Sequence, residues 1–145
     1  MGEFRKLSDT FYASPQVSPQ DISEAAAMGM ALVVNNRPDG EAADQPEGAA
    51  IEAATRAAGM DYLAIPIGSA GFSEPQVERL QNALASAQGP VLGFCRSGTR
   101  STLLWSLAKA RSGGDPDAIA EAAAAVGYDV SPVRPAMDMF AARAA

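Results

Sequence analysis

Short, continuous apolar runs alternate along the chain with segments whose apolar residues recur every three or four positions. The runs Ala31-Leu32-Val33-Val34 and Val91-Leu92-Gly93-Phe94 are too short for helices and too uniformly apolar for one-faced strands, which predicts buried strands of a parallel sheet, and Tyr62-Leu63-Ala64-Ile65 reads as a further strand between them. The spacing of Ile22, Ala25, Ala26 and Met28 predicts a helix capped by Ser18, with Pro19 at its first position, Asp21 in its first turn and a stop at Gly29. Ile51, Ala54 and Ala58 predict a second helix from about Pro46 to Ala58, ended by Gly59. Val77, Leu80 and Leu84 predict a third, capped by Ser73, and Leu103, Leu104, Leu107 and Ala108 a fourth directly after the last apolar run. Ile119, Ala122, Ala123 and Val126 belong to a helix that stops at Gly127, and a linker from Asp129 to Arg134 leads to a short final helix over 135–145 that uses Met137, Phe140 and Ala141. The Ala-rich runs at 118–125 and 141–145 read as tightly packed helix, because alanine is the best helix former. Phe11-Tyr12-Ala13, within Arg5 to Gln16, predicts one short edge strand.

Strands alternating with helices predict an α/β fold: a mainly parallel central sheet of about four or five strands, helices on both faces, and a site at the carboxyl ends of the strands. The 145 residues are expected to form one domain, 1–145. No stretch approaches the ~18 apolar residues that cross a bilayer, and Met1-Gly2-Glu3-Phe4-Arg5-Lys6 has no apolar core behind its charges. A soluble, cytoplasmic protein with no membrane partner is therefore expected. A net charge of -6 without clustered Lys and Arg argues against nucleic acid. The single cysteine excludes an internal disulfide and fits a reducing compartment. Histidine is absent, which removes Ser-His-Asp and Cys-His catalysis and, with one cysteine, leaves no zinc site. No cofactor is implied, and nothing in the pattern specifies an oligomeric state.

The chemistry concentrates after the third apolar run, in Cys95-Arg96-Ser97-Gly98-Thr99-Arg100-Ser101. An anion held between that strand and the following helix meets the loop amides and the positive end of the helix dipole. The same field lowers a thiol's pKa, and an adjacent guanidinium lowers it further. Cys95 is therefore read as a thiolate nucleophile and Arg100 as the clamp for an anionic substrate. A lone cysteine is more often a small buried hydrophobe, but strand, cysteine, Gly98 at the turn and arginine at a helix mouth together favour an anion-binding site. Arg96 either lines the pocket or contributes only its backbone N–H. Two further strand ends deliver Asn36 to Glu41 and Pro66 to Phe72. Asn35-Asn36-Arg37-Pro38-Asp39-Gly40 reads either as a plain turn or as a pocket wall to which Arg37 or Asp39 contributes.

The order Val33-Val34-Asn35-Asn36-Arg37, Ile65-Pro66-Ile67, Val91-Leu92-Gly93-Phe94-Cys95 and then Arg100-Ser101 resembles the dual-specificity branch of the protein-tyrosine-phosphatase superfamily. More closely, Asn35 to Glu41 together with Cys95 to Ser101 is similar to a small bacterial phosphatase-like family that also occurs fused to a β-lactamase-like hydrolase, over about Phe4 to Ala110. The resemblance implies a phosphatase-type three-layer sandwich. It implies Cys95 as nucleophile, the amides of Arg96, Ser97, Gly98, Thr99 and Arg100 as an oxyanion cradle, Arg100 as a bidentate clamp and Ser101 as an aid to thiolate departure. The reaction it implies is hydrolysis of aryl phosphate or phosphotyrosine through a cysteinyl-phosphate, with an anionic small molecule or phosphoprotein as substrate.

Three departures qualify that reading. Only Arg96, Ser97, Gly98 and Thr99 separate Cys95 from Arg100, one residue fewer than in those enzymes; Phe94 replaces a histidine; and Gly68 and Ser69 stand where an aspartate acid is expected. A positioned acid is worth about 10²- to 10⁴-fold. Unless Asp39, Glu41 or Glu74 reaches in, turnover should be slow and favour good leaving groups, and Asp39 is the expected substitute. The form Cys-Arg-x-Gly-x-Arg also resembles the active loop of rhodanese sulfurtransferases. In that alternative a Cys95 persulfide would carry sulfane sulfur to an external acceptor. A third alternative is a phosphate- or phosphotyrosine-binding module that has lost catalysis.

Overall fold

The computed structural model describes residues 3–145, in the order β1 (Arg5–Ser8), β2 (Phe11–Ser14), α1 (Pro19–Ala27), β3 (Leu32–Asn35), α2 (Gly48–Ala57), β4 (Asp61–Ala64), α3 (Glu74–Ser86), β5 (Val91–Phe94), α4 (Thr99–Arg111), α5 (Pro116–Ala125), a 3-10 turn (Ser131–Val133) and α6 (Arg134–Ala144). The strands form one sheet in the order β1-β2-β5-β3-β4, with β1 antiparallel to β2 and every other pair parallel. Side chains alternate across it: Leu32, Val34 and Val91 join one core cluster, Val33, Leu92 and Phe94 the other. Helices α1 and α2 cover the second face, through Ile22, Ala25 and Ile51, while α3 to α6 cover the first. The α/β architecture with helices on both faces is the one the alternation predicts.

Residues 5–16 differ from the reading of a single edge strand. Ser8 Oγ accepts from the Thr10 N–H at 3.2 Å, the chain reverses there, and two strands result. β1 takes the edge, and β2 lies inside between β1 and β5 with Phe11 and Ala13 fully buried. The predicted linker from Asp129 to Arg134 likewise contains the 3-10 turn, held down by the buried Val130 and Val133.

Helix α4 is the centre of the first face. Leu103, Leu104, Trp105, Leu107 and Ala108 are all buried because α4 lies against the sheet and between α3, α5 and α6. Burying each leucine contributes about 1.5–3 kcal/mol. Two of its buried hydroxyls are satisfied locally: Thr102 donates to the Gly98 carbonyl at 2.9 Å and Ser106 to the Thr102 carbonyl at 2.8 Å. Gly93 makes room for the Phe11 ring, since a Cβ there would fall 2.6 Å from it, and that ring stacks on Trp105 of α4 with centroids 6.1 Å apart. The carboxyl ends of β3, β4 and β5 therefore open on one edge, directly below the start of α4. Among the described residues no helix is long and apolar enough to cross a membrane.

Candidate active site

Two of the helices begin with a complete capping box, in which Ser18 and Asp21, or Ser73 and Gln76, satisfy each other's backbone N–H groups. Helix α4 begins differently. Its N-cap is Gly98, which has no side chain to offer, so α4 starts from the Cys95 loop without a capping box. Cys95 closes β5, and its sulfur is fully buried yet belongs to neither apolar cluster. The Gly98 N–H donates to Cys95 Sγ at 3.1 Å. That geometry requires Gly98 at φ +89°, and a Cβ there would fall on the Tyr128 hydroxyl, so glycine is needed twice over. The loop is pinned to the end of β2: the Cys95 N–H donates to the Ser14 carbonyl at 3.3 Å, and the Gln16 N–H to the Arg96 carbonyl at 3.2 Å.

Arg100 reaches from α4 to the other two strand ends. Its Nη1 donates to Glu41 Oε2 at 2.7 Å and to the Ile67 carbonyl at 2.8 Å, and its Nη2 donates to Glu41 Oε1 at 2.9 Å. A guanidinium has five N–H groups in a rigid plane. The three used here leave Nε–H and the second Nη2–H, which lie side by side on one edge and form a fork for two oxygens of an anion. The hydrogen bonds to Glu41 are the main reason the Arg100 guanidinium holds its proton even more firmly than usual.

Glu41 is set in turn by Arg37, whose Nε donates to Oε1 at 3.0 Å and whose Nη1 donates to Gln16 Oε1 at 3.0 Å. Hydrogen bonds from Arg100 and then Arg37 hold the Glu41 carboxyl far below its ordinary value, at about 2. Glu41 is thus an ionised acceptor at neutral pH and has no proton to give a leaving group. Because its pKa is depressed in the fold, its contribution to stability is complete above the ordinary value of 4.5 and is lost as pH falls toward about 2. The thermal midpoints of wild type and Glu41→Gln are therefore expected to differ by a constant amount above that value and to converge as pH falls; a gap that persists into acid contradicts the pairing. The same variant is expected to lower kcat/KM about ten-fold, by loosening Arg100.

The other residues singled out from the sequence are placed as follows. Asp39 is put to a different use from the substitute acid expected of it: Oδ1 accepts from the Gly48 N–H at 2.8 Å, which caps α2 from nine residues upstream. Glu74 lies on α3, bonded to Arg111 and Arg143. Arg37 is buried and bonded to Glu41 and Gln16, so it supports the rim of the Cys95 site; with Asp39 it also lines a separate cavity beside Tyr62 and the start of α2. Ser101 is fully buried and donates its one hydroxyl proton to Asn36 Oδ1 at 2.7 Å, which leaves none to offer the sulfur. The side chains of Arg96, Ser97 and Thr99 are exposed; Ser97 donates to Thr99 Oγ1 at 2.9 Å, and the Thr99 N–H donates to Ser97 Oγ at 3.3 Å. Gln16 and Tyr128 are the site neighbours that sequence reasoning missed. Asn36 joins three elements, through its bond from Ser101 and its own donation to the Ile65 carbonyl at 2.9 Å.

Comparison with known proteins adds a family and a fold. Residues 3–112 match the family model described as beta-lactamase hydrolase-like protein, phosphatase-like domain. A beta-lactamase hydrolase-like protein of Agrobacterium fabrum is 36% identical over 104 residues, which are 72% of this chain and 24% of that protein. The chain thus spans about a quarter of the length of the curated relatives it matches. A Neisseria meningitidis structure solved as that of a candidate phosphatase is 32% identical, covers 93% of this chain and 96% of its own, and superposes with a TM-score of 0.81. The Pseudomonas aeruginosa protein TpbA, solved as a Cys-to-Ser variant with phosphotyrosine, is 22% identical, with 93% and 90% of the two chains covered and a TM-score of 0.57. The fold is that of the protein-tyrosine-phosphatase-like proteins.

Proposed function

The chain belongs to the phosphatase-like domain family of the beta-lactamase hydrolase-like proteins, and from that membership we propose that it is a cysteine-dependent phosphatase acting on aryl phosphates, phosphotyrosine among them. The observation that carries this reading is a buried Cys95 sulfur that accepts from the Gly98 N–H at the start of α4, together with an Arg100 in the first turn of that helix whose remaining N–H edge is not taken by Glu41 or Ile67. The sulfur attacks phosphorus, the P–O bond to the aryl group breaks, and the aryloxide leaves with the electron pair and takes its proton from water. Arg100 and the loop amides bear the charge on the non-bridging oxygens. Water then attacks phosphorus, the S–P bond breaks, and inorganic phosphate departs as Cys95 is restored. Phosphotyrosine bound to TpbA supports an aryl ester as the substrate class.

Glu41 is held ionised, Asp39 caps α2 and Glu74 is engaged by Arg111 and Arg143. With no carboxyl assigned to protonate the leaving group, the rate should depend steeply on leaving-group quality. Activated aryl phosphates are expected to react about 10²- to 10⁴-fold faster than alkyl phosphates. A comparison of kcat/KM across a leaving-group series checks this, and equal rates would mean an acid has been overlooked. The phosphatase-like family and fold do not favour the second reading, sulfane-sulfur transfer, in which sulfite would leave thiosulfate without a proton. A parallel thiosulfate and cyanide assay separates the two: thiocyanate without phosphate release would replace the first reading.

A further inference from the structure

Tyr128 lies outside the segment 3–112 that the family model matches, between α5 and the 3-10 turn, yet its side chain ends at the Cys95 loop. Its hydroxyl donates to the Ser97 carbonyl at 3.0 Å. The residue is anchored from both sides. Its backbone N–H donates to the Ala123 carbonyl at 2.9 Å, and the Arg5 guanidinium sits over its ring, 4.9 Å from the centroid, while Arg5 Nη1 donates to the Val126 carbonyl at 3.2 Å.

The Ser97 carbonyl and the Gly98 N–H belong to one peptide unit. In a trans peptide these two groups point in opposite directions, and the described residues contain no cis bond. One side of this unit is therefore tied to Tyr128 and the other to Cys95 Sγ. A peptide flanked by glycine is the easiest kind to rotate, because no Cβ resists the turn. We propose that Tyr128 is a positioning residue for the anion loop: by holding the Ser97 carbonyl, it fixes the peptide plane that aims the Gly98 N–H at the Cys95 sulfur. The inference rests on the reading of Cys95 as the nucleophile.

The charged and titratable groups around this unit are Arg100 on the sulfur side and Arg5 and Glu3 on the tyrosine side. Burial pushes the Tyr128 hydroxyl above its ordinary value, so it remains a donor across the neutral range.

The test uses the full chain carrying Tyr128→Phe, which keeps the ring beneath Arg5 and deletes only the hydroxyl. Arg5→Lys, which disturbs the same packing and leaves both hydroxyl and charge, is the control. Alkylation of Cys95 by iodoacetamide is followed against pH, beside thermal melting and the kinetics of an aryl phosphate. Tyr128→Phe is expected to melt cooperatively, to shift the alkylation curve about one pH unit upward, and to lower kcat about ten-fold while KM changes little. Arg5→Lys is expected to leave the curve in place. The assignment is overturned if the Tyr128→Phe curve superimposes on wild type, if Arg5→Lys shifts it equally, or if Tyr128→Phe no longer melts cooperatively. A wild-type chain that hydrolyses no aryl phosphate, with the alkylation curves still separated, removes the phosphatase reading and leaves the role of Tyr128 standing.

Discussion

The Cys95→Ser protein is expected to melt as wild type does and to release phosphate from an aryl phosphate no faster than background, a loss of about 10⁴-fold or more in kcat. The fold should survive because Cys95 belongs to neither apolar cluster and a serine oxygen can still accept from the Gly98 N–H. Chemistry should not survive. A serine hydroxyl needs a base to become a nucleophile, the chain has no histidine, and Glu41 is committed to two arginines. Nor do the neighbouring hydroxyls offer a substitute. Those of Ser97 and Thr99 bond each other, and the Ser101 proton is on Asn36. Phosphate release and thermal melting on the same preparation check this; activity within ten-fold of wild type, an order-of-magnitude margin on the nucleophile's usual contribution, would assign the nucleophile elsewhere.

Arg100→Lys should be nearly as damaging, lowering kcat/KM by about 10²- to 10³-fold. The arginine has two separate tasks. One side of its plane holds Glu41 and the Ile67 carbonyl, and the remaining edge is available for the substrate. A lysine carries its donors on a single atom at the end of a flexible stem and cannot fix a partner on one side while presenting a planar fork on the other. The substitution also leaves Glu41 with Arg37 as its one remaining guanidinium partner among the described residues. Steady-state kinetics with an aryl phosphate test the point. A lysine variant with wild-type kcat/KM would show that charge alone suffices and that the two-edged geometry has no catalytic role.

Much of this architecture was legible in the sequence, because the fold places its most regular signals in the core. The runs around Val33 and Leu92 are buried on both sheet faces, so they read as continuous apolar strands, and Ser18 and Ser73 mark helix starts by the chemistry that caps them. The Cys95 to Arg100 loop was legible because strand, thiol, glycine and guanidinium occur in contiguous order. What escaped depends on long-range pairing. The separation of β1 from β2 rests on a three-residue reversal at Ser8 to Thr10 that leaves no strong turn signature. Tyr128 and Ser97 are distant in sequence and meet only because α5 and the segment after it pack beside α4. Asp39 and Glu41 exchanged expected importance for the same reason. Both are acidic residues on one polar loop, and only the fold decides which of them caps α2 and which meets Arg100.

The most direct test of the account is the intact mass of the wild-type chain after rapid mixing with an activated aryl phosphate and acid quench. The account predicts a transient species heavier by one phosphoryl group, localised by fragmentation to Cys95 and missing from Cys95→Ser. Phosphate release without that species at any quench time, or a phosphoryl group on another residue, would contradict it.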